Sequence, residues 1–323
     1  MSHFAIGKSR GPSTLISRVP HTKCFTRLNV EEVSYNKGRQ CIRILRQCDA
    51  INGLVLVIEN PDRRSINELI SSIILTIGGQ IIDEFHGFGD IETLIASVAS
   101  FYGKRIRHID GQTFVPLCLA PCHEPFNMLP ISSMVHDVLL SFSMFDEFEY
   151  HICGNCYFLE KDKHDTLIKM EFVQMIYQCS CISYGPCKSG SNTFTYLHFL
   201  HPLRCIFIWG PPKQNIRRVK MTIDGMIYMD SSVAELEYQT SSRYVYRPEN
   251  VIVIDLSDSI ECKADEGLLD CFSYKANART SALALTVVCD EIPKDCEDML
   301  KICGINTQES MQMRGMFGLT FSK

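Results

Sequence analysis

Cysteine is the residue type with the most chemical potential in this sequence, which holds 16 cysteines in 323 residues. Cys153 and Cys156 are separated by two residues, which is the spacing of half a structural zinc site. The remaining ligands could come from a second group that lacks a matching two-residue gap: Cys179, Cys181 and Cys187. The alternative is free thiols on neighbouring strands, because Gly154-Asn155 between the first pair is typical of a two-residue hairpin turn. We favour the free thiols.

A second, looser cluster consists of Cys118, Cys122 and His123. Metal binding and Cys-His nucleophilic catalysis both use these residue types. The alternative is a loop that packs on the core, and no pattern singles out any of the 10 histidines as the partner of a nucleophile. We favour the packed loop.

The remaining motifs do not meet the requirements of their chemistry. Gly7-Lys8-Ser9 lacks the upstream glycine of a phosphate loop, and the glycine-rich residues 185–190 precede no helical pattern. Asp83-Glu84 and Asp146-Glu147 are adjacent acids, and neighbours on a strand point to opposite faces, so neither pair suits acid–base catalysis. We expect each pair in a solvated turn. The sequence predicts no catalytic, cofactor-binding or metal-binding residue, and no enzyme.

The elements that would position any site are mostly strands. Residues 90–102 are the exception, because their apolar side chains recur at helical spacing and predict one helix with Asp90 as its N-cap. Gly78-Gly79 suits a tight hairpin. Short β-branched stretches bounded by turn residues predict the strands: 53–59, 70–77, 80–83, 113–119, 135–145, 166–181, 193–209, 217–229, 242–256, 268–274, 281–289 and 311–321.

The density of these strands predicts an all-β protein. Antiparallel sandwiches or barrels fit this pattern, and the absence of βαβ alternation argues against a parallel nucleotide-binding sheet. Residues 203–209 form a continuous apolar run with the only tryptophan, Trp209, and predict a strand that is buried on both faces. A chain of 323 residues suits two domains, and Asp146-Glu147 marks the predicted end of the first.

Composition indicates a folded globular protein, with 46% hydrophobic and 21% charged residues. The net charge of −5 argues against a protein built to neutralise nucleic-acid phosphates. A basic N-terminal arm leaves open a small electrostatic contact, and the alternative is a solvated arm. We expect no secretory signal, no membrane span, and reduced thiols in a cytosolic setting.

Eight stretches in collinear order, across about residues 22–290, carry a family resemblance. The most recognisable is HPLRCIFIW at 201–209, and LTIGGQIID at 75–83 forms a strand-turn-strand motif. The others are CDAINGL at 48–54, FVPL at 114–117, SSMVHDVL at 132–139, CYFLEKDK at 156–163, YVY at 244–246 and LDCFSY at 269–274. Together they resemble the major capsid proteins of large double-stranded DNA viruses, such as iridoviruses, phycodnaviruses and asfarviruses.

This resemblance implies a double jelly roll, which consists of two tandem antiparallel jelly-roll sandwiches with short helices in loops. The expected division is an N-terminal arm at 1–21, a first domain at 22–147 and a second at 148–323. The implied function is that of a structural capsid subunit forming pseudo-hexagonal homotrimers of an icosahedral shell. The implied partners are its own copies, neighbouring capsomers and minor capsid or penton proteins. An inner viral membrane stays open as a partner, and no specific nucleic acid is implied. The implied location is the virion, assembled in the host cytoplasm.

Two alternatives stay open. The first is a minor capsid or scaffold paralogue, and the second is a jelly-roll ligand-binding protein of the lectin or cupin type. A cupin needs clustered His and Glu ligands, and the sequence has no His-x-His at strand spacing. A lectin needs an exposed aromatic platform, whereas Trp209 is predicted to be buried. Both comparisons favour the shell protein.

Overall fold

The computed structural model describes residues 21–36, 38–122, 127–169, 171–194, 197, 199, 203–256, 283–290, 299–313 and 315–319. Four sequence predictions lie outside these residues. They concern the N-terminal arm up to residue 20, His123, the His201-Pro202 step and the strand 268–274.

In its described residues, the first part of the chain contains ten strands and two helices. The strands are β1 (His21–Arg27), β2 (Val30–Asn36), β3 (Arg39–Ile44), β4 (Ala50–Glu59), β5 (Ile70–Ile77), β6 (Gln80–His86), β7 (Arg107–Ile109), β8 (Gln112–Pro116), β9 (Val138–Met144) and β10 (Tyr150–Leu159). The helices are α1 (Ile66–Leu69) and α2 (Ile91–Phe101), and a 3-10 turn covers Ile131–Ser133.

A third helix, α3 (Lys161–Lys169), leads into the second part of the chain. The strands there are β11 (Phe172–Pro186), β12 (Gly190–Phe194), β13 (Leu203–Trp209), β14 (Ile216–Ile223), β15 (Met226–Ser232), β16 (Ile252–Asp255), β17 (Leu283–Cys289), β18 (Met299–Met313) and β19 (Met316–Leu319). Helix α4 (Val233–Thr240) follows β15, and a 3-10 turn covers Lys213–Asn215.

Each part forms a sandwich of two antiparallel sheets. The sheets of the first sandwich have the orders β1-β10-β4-β8-β7 and β2-β3-β9-β5-β6. The sheets of the second have the orders β11-β18-β13-β16 and β12-β17-β14-β15, and β19 pairs with β18. The two sandwiches therefore have the same topology: β1-β10-β4-β8 corresponds to β11-β18-β13-β16, and β3-β9-β5-β6 corresponds to β12-β17-β14-β15.

Strand β13 is buried on both faces, as the sequence predicts, and Trp209 is 2% exposed. Ile206 and Ile208 lie in the core of the second sandwich. Phe207 and Trp209, on the opposite face, belong to the apolar cluster of the first sandwich. The sheet that contains β13 therefore lies between the two cores, so the strand shows no polar alternation.

Helix α2 matches the helix predicted at 90–102. The Asp90 side chain accepts a hydrogen bond from the Thr93 backbone N–H, and the buried face includes Leu94, Ile95 and Val98. Helix α4 occupies the equivalent place in the second sandwich, between β15 and β16. Helix α4 was not predicted from the sequence, although Ser232 and Glu235 form a capping box at its start.

The predicted hairpin at Gly154-Asn155 is wrong, because β10 runs through it as one strand with a shift of register between Cys153 and Asn155. A Cβ atom on Gly154 would lie 3.2 Å from Leu54 Cδ2. The Asn155 side chain is buried and donates to Asn52 Oδ1 at 3.2 Å. At this point the glycine allows close packing and the asparagine makes a buried hydrogen bond, and neither residue forms a turn.

Several predicted strands are wrong in extent. Residues 161–169 form α3, so the strand predicted from 166 begins only at β11. The prediction 217–229 spans β14 and β15, which are joined by Asp224-Gly225 with φ of 49° and 81°. In the described residues, 193–209 contains the end of β12 and all of β13, 242–256 contains β16 alone as a strand, and 311–321 contains the end of β18 and all of β19. The long strand β18 was missed up to residue 310.

The predicted division at residue 147 falls before the last strand of the first sandwich. Strand β10 pairs with β1 and β4, both in that sandwich, so a boundary at 147/148 would remove a central strand. We propose a boundary within 160–171, where α3 separates the two sets of sheets. Helix α3 is fixed to the first sandwich by His164, whose ring pairs with the Asp49 carboxylate.

Candidate functional site

The junction between the two sandwiches centres on a buried acid. Asp83 in β6 is 2% exposed and accepts hydrogen bonds from the backbone N–H of Ala120 at 2.9 Å and of Cys179 at 3.1 Å. Cys179 belongs to β11, and the side chain of the preceding Gln178 donates to the Ile82 carbonyl. The predicted solvated turn is therefore wrong for Asp83, which joins the two sandwiches.

The β18–β19 hairpin forms a second set of contacts across the junction. The Gln312 amide donates to Ser133 Oγ at 2.7 Å, and the Val135 N–H donates to the Gly315 carbonyl at 2.7 Å. The Leu319 N–H donates to Gln80 Oε1 at 3.1 Å. These bonds attach the β18–β19 hairpin to the first sandwich.

Aromatic side chains fill the space beside these polar contacts. Phe101, at the end of α2, meets Tyr177 with a centroid separation of 5.8 Å and an interplanar angle of 71°. Phe207 and Tyr244 are 5.9 Å apart and nearly perpendicular. Burial raises the pKa of Tyr244 well above its usual value, so this phenol stays neutral. The junction combines apolar packing with buried hydrogen bonds and holds the two sandwiches as one body.

The candidate zinc ligands are divided between the two sandwiches. Cys153 and Cys156 lie in β10, whereas Cys179 and Cys181 lie in β11 and Cys187 follows it. Among the residues that the structure describes, no group of three or more Cys, His, Asp or Glu is arranged to hold a metal ion.

The cysteines are free thiols throughout the described part of the chain. Cys118 and Cys122 are buried, and burial raises the pKa of each to about 12. Both thiols are therefore protonated near neutral pH, which suits the predicted packed loop. Their proposed partner, His123, lies outside the described residues.

A cleft of about 710 Å³ opens between α2, β7 and residues 245–248. Its charged side chains have structural partners. Glu92 accepts from the Ser65 hydroxyl at 2.5 Å and the Ile66 N–H at 2.8 Å. Arg105 lies over the Tyr246 ring at 5.0 Å, and Arg247 pairs with Glu237. These contacts fix the rim where the two sandwiches meet.

Apolar side chains are exposed on two outer edge strands. In the described residues β15 pairs only with β14, and its start carries Met226, Ile227 and Tyr228 at 74%, 60% and 44% exposure. Strand β2 pairs only with β3 there, is exposed along its whole length and carries Val33 and Tyr35. Edges with apolar side chains are suited to contact with another protein surface.

The second acidic pair lies on the outside of the first sandwich, in the solvated connection that the sequence predicts. Asp146 pairs with Arg64 at 2.9 Å, and Glu147 accepts from the Tyr35 hydroxyl at 2.7 Å. The hydrogen bond from Arg64 lowers the pKa of Asp146 below its usual value.

Solved structures share this architecture at low sequence identity. VP54 of the virus PBCV-1 matches with a TM-score of 0.70 and 13% identity, over 94% of this chain and 98% of that chain. The Faustovirus major capsid protein matches with 0.58 and 8%, over 91% and 90%. Protein P2, the major capsid protein of bacteriophage PM2, matches with 0.52 and 12%, over 92% and 100%. The chain has the double jelly-roll fold.

The double jelly roll confirms the fold class that the sequence resemblance implied. No protein-family model and no curated protein sequence matches the chain. In the described ranges, no helix is both long and apolar enough to cross a membrane.

The residues that join the two jelly rolls were not predicted from the sequence. A buried acid and an exposed acid look alike in sequence, so nothing distinguished Asp83 from Asp146. One usable signal precedes the exposed apolar residues of β15, because Asp224-Gly225 predicts a hairpin turn between β14 and β15.

Proposed function

We propose that this protein is a structural capsid subunit, which assembles into pseudo-hexagonal trimers of an icosahedral shell. The observation that carries the proposal is the double jelly roll itself, repeated in strand order and similar to VP54 over 98% of that chain. A crystal structure of VP54 was fitted into a virophage reconstruction, and the Faustovirus and PM2 neighbours are named as major capsid proteins.

The geometry suits this role for a physical reason. The buried Asp83 junction and the β18–β19 hairpin fix two similar sandwiches side by side. Three such chains around an axis would present six similar sandwiches, and a near-hexagonal unit tiles a closed shell with few kinds of contact. The apolar edges on β2 and β15 are surfaces through which copies would meet.

We also propose binding partners and a location for the subunit. The subunit would contact its own copies, neighbouring capsomers and minor capsid or penton proteins, with an inner viral membrane as a further candidate partner. It would have no enzymatic activity and no specific nucleic-acid ligand, in line with the net charge of −5. Its place would be the virion shell, after assembly in the host cytoplasm.

Light scattering of the purified protein tests self-association. We expect a mass three times that of the 36.7 kDa protomer. Ile227→Asp places a charge on the apolar edge of β15 and should shift the population toward the protomer mass. Ile168→Asp is the matched control, because Ile168 is an exposed isoleucine on α3, away from that edge.

A wild-type protein that remains a single protomer at all concentrations would contradict the trimer. A trimer that resists Ile227→Asp would leave the capsid role and reject the β15 edge as its contact. Detection of the protein at a few copies per virion would favour the minor capsid or scaffold paralogue.

A further inference from the structure

The two jelly rolls contain the same hairpin at equivalent edges. The β5–β6 hairpin includes LTIGGQIIDE at 75–84, and the β14–β15 hairpin includes MTIDGMIYMD at 221–230. Both turns consist of two residues with positive φ. In both hairpins the third residue after the turn is a bulge that has no partner on the other strand, Ile82 in β6 and Tyr228 in β15. The two hairpins therefore match residue by residue.

Within the chain, the first hairpin is covered by the second jelly roll. Ile82 and Asp83 of β6 are 0% and 2% exposed. The Gln178 side chain donates to the Ile82 carbonyl, and the Cys179 N–H donates to the Asp83 carboxylate. Both donors belong to β11, which is an edge strand of its sheet. The internal junction is therefore a contact between a hairpin of one jelly roll and the first strand of the other.

The second hairpin is uncovered in the protomer. Tyr228, the counterpart of Ile82, is 44% exposed, and the preceding Ile227 is 60% exposed. Met229 occupies the position of Asp83, so this edge is more apolar than its counterpart. In the described residues, β14 is the only strand that pairs with β15. Exposed apolar side chains at a position that is covered in the first jelly roll indicate a surface that a further jelly roll would cover.

Strand β1 of the first jelly roll is the counterpart of β11. Both are edge strands, and β1 pairs with β10 as β11 pairs with β18. The matched hairpins fix the residue equivalence. Leu75 of the first hairpin leads across two strand pairs to Ile42 in β3, and Met221 of the second leads in the same way to Phe194 in β12. Ile42 and Phe194 are therefore equivalent.

An exposed aromatic residue occupies the junction position of β1. Phe25 precedes Ile42 by the same number of residues as Tyr177 precedes Phe194, so Phe25 is the counterpart of Tyr177. Tyr177 is 4% exposed in the junction, where its ring meets Phe101 of the first jelly roll. Phe25 is 56% exposed. The first jelly roll therefore leaves an aromatic side chain uncovered at the position where the second jelly roll is covered.

We infer that the β14–β15 hairpin of one copy packs against β1 of the next copy, as the β5–β6 hairpin packs against β11 within the chain. Ile227 and Tyr228 meet the β1 edge around Phe25. The partner is a second copy, because the internal junction uses one hairpin and one first strand and leaves the equivalent pair of surfaces exposed on the same chain. The contact is heterologous, which is the type that can close a ring. This inference rests on the proposed self-association and specifies the surfaces that carry it.

Opposite charges on the two surfaces test this contact in the full-length protein. Ile227→Lys places a cation on the hairpin, and Phe25→Asp places an anion on β1. Each substitution alone buries an unpaired charge at every interface, so it should raise the concentration at half-assembly by at least about tenfold. The double variant places a lysine against an aspartate at every interface and should assemble within about threefold of the wild-type concentration. Analytical ultracentrifugation measures these concentrations.

A matched control separates the contact from a general effect of surface charge. Phe145 is 67% exposed and follows β9, which belongs to the other sheet of the first jelly roll. Phe145→Asp therefore makes the same change as Phe25→Asp at a different place and should assemble as the wild type does. Circular dichroism of each variant checks that its β-structure is retained.

The outcomes distinguish this contact from the proposed capsid role. Assembly of the double variant under conditions where both single variants remain protomers supports the contact. A trimer that tolerates both single substitutions would overturn the contact and leave the capsid role standing. The same holds if the double variant keeps its β-structure but does not recover assembly. A wild-type protein that stays a protomer would reject both proposals.

Discussion

Asp83 and Asp146 begin two acidic pairs that look equivalent in the sequence but differ in the structure. Asp83 is 2% exposed and accepts from backbone N–H groups of both jelly rolls, including Ala120 of the first and Cys179 of the second. Asp146 is exposed and pairs with Arg64. The local sequence cannot distinguish them, because the burial of Asp83 arises from the packing of β11 against β6, which is nearly 100 residues distant in the chain.

This difference predicts unequal effects of alanine substitution. Asp83→Ala leaves two buried N–H groups without their acceptor and should lower the free energy of unfolding by about 3 kcal/mol. Asp146→Ala removes only a solvated ion pair and should leave the unfolding midpoint nearly unchanged. Urea unfolding followed by circular dichroism measures both. Equal effects of the two substitutions would contradict the role given to Asp83 at the junction.

For the cysteines too, the position in the fold is more informative than the sequence motif. The Cys-x-x-Cys spacing at 153–156 suggested half a metal site, but both residues lie in one strand of the first jelly roll. The two thiols whose sulfur atoms lie 3.2 Å apart, Cys179 and Cys303, are far apart in sequence and meet only because β11 pairs with β18. Spacing alone could not have found this pair.

The strands and helices whose own residues carry a clear pattern were predictable. Strand β5 has the bounds predicted from its apolar run, and α2 has the predicted cap at Asp90. Strand β18 was missed over most of its length because its second half carries Asn306, Gln308, Ser310 and Gln312. These side chains are buried. A buried polar strand has no hydrophobic alternation to detect, and the partner of Gln312, Ser133, belongs to the other jelly roll.

The docking of the β18–β19 hairpin can be tested through glycine. Gly315 has φ of 78°, and a Cβ atom there would lie 2.8 Å from Val135 Cγ2 and 2.9 Å from the Ser133 carbonyl oxygen. Gly225, in the β14–β15 turn, has a similar φ of 81° but no atom within 4 Å of such a Cβ. At both positions a positive φ would strain an alanine. Only at residue 315 would the added Cβ also collide with the first jelly roll.

We expect Gly315→Ala to lower the free energy of unfolding by about 2 kcal/mol more than Gly225→Ala, because it adds overpacking to the shared strain. Thermal unfolding of the two variants against the wild type measures this difference. Equal destabilisation would indicate that the hairpin does not pack against residues 133–135 in solution.

For the whole molecule, the resemblance of eight short stretches predicted the double jelly roll, but the pattern of strands could not place the domain boundary. The acidic connection at 146–147 looked like a linker, whereas it joins β9 and β10 of opposite sheets in one sandwich. The last strand of a jelly roll pairs with the first. The domain boundary therefore depends on a contact between strands at opposite ends of the domain's sequence, which no local pattern reveals.

This topology predicts the behaviour of fragments. A fragment of residues 21–160 contains all ten strands of the first jelly roll and should retain β-structure. A fragment of 21–147 lacks β10, which lies between β1 and β4, and should lose cooperative unfolding. Circular dichroism and limited proteolysis distinguish the two. Similar stability of both fragments would restore the boundary at residue 147.

We propose that a rigid tandem of two similar jelly rolls assembles as a trimer. Electron microscopy of the purified full-length protein, with two-dimensional averaging of single particles, tests it most directly. We predict averages with six lobes around a threefold axis and a hexagonal outline. Averages that contain only isolated two-lobed particles at concentrations used for assembly would contradict the proposed capsomer.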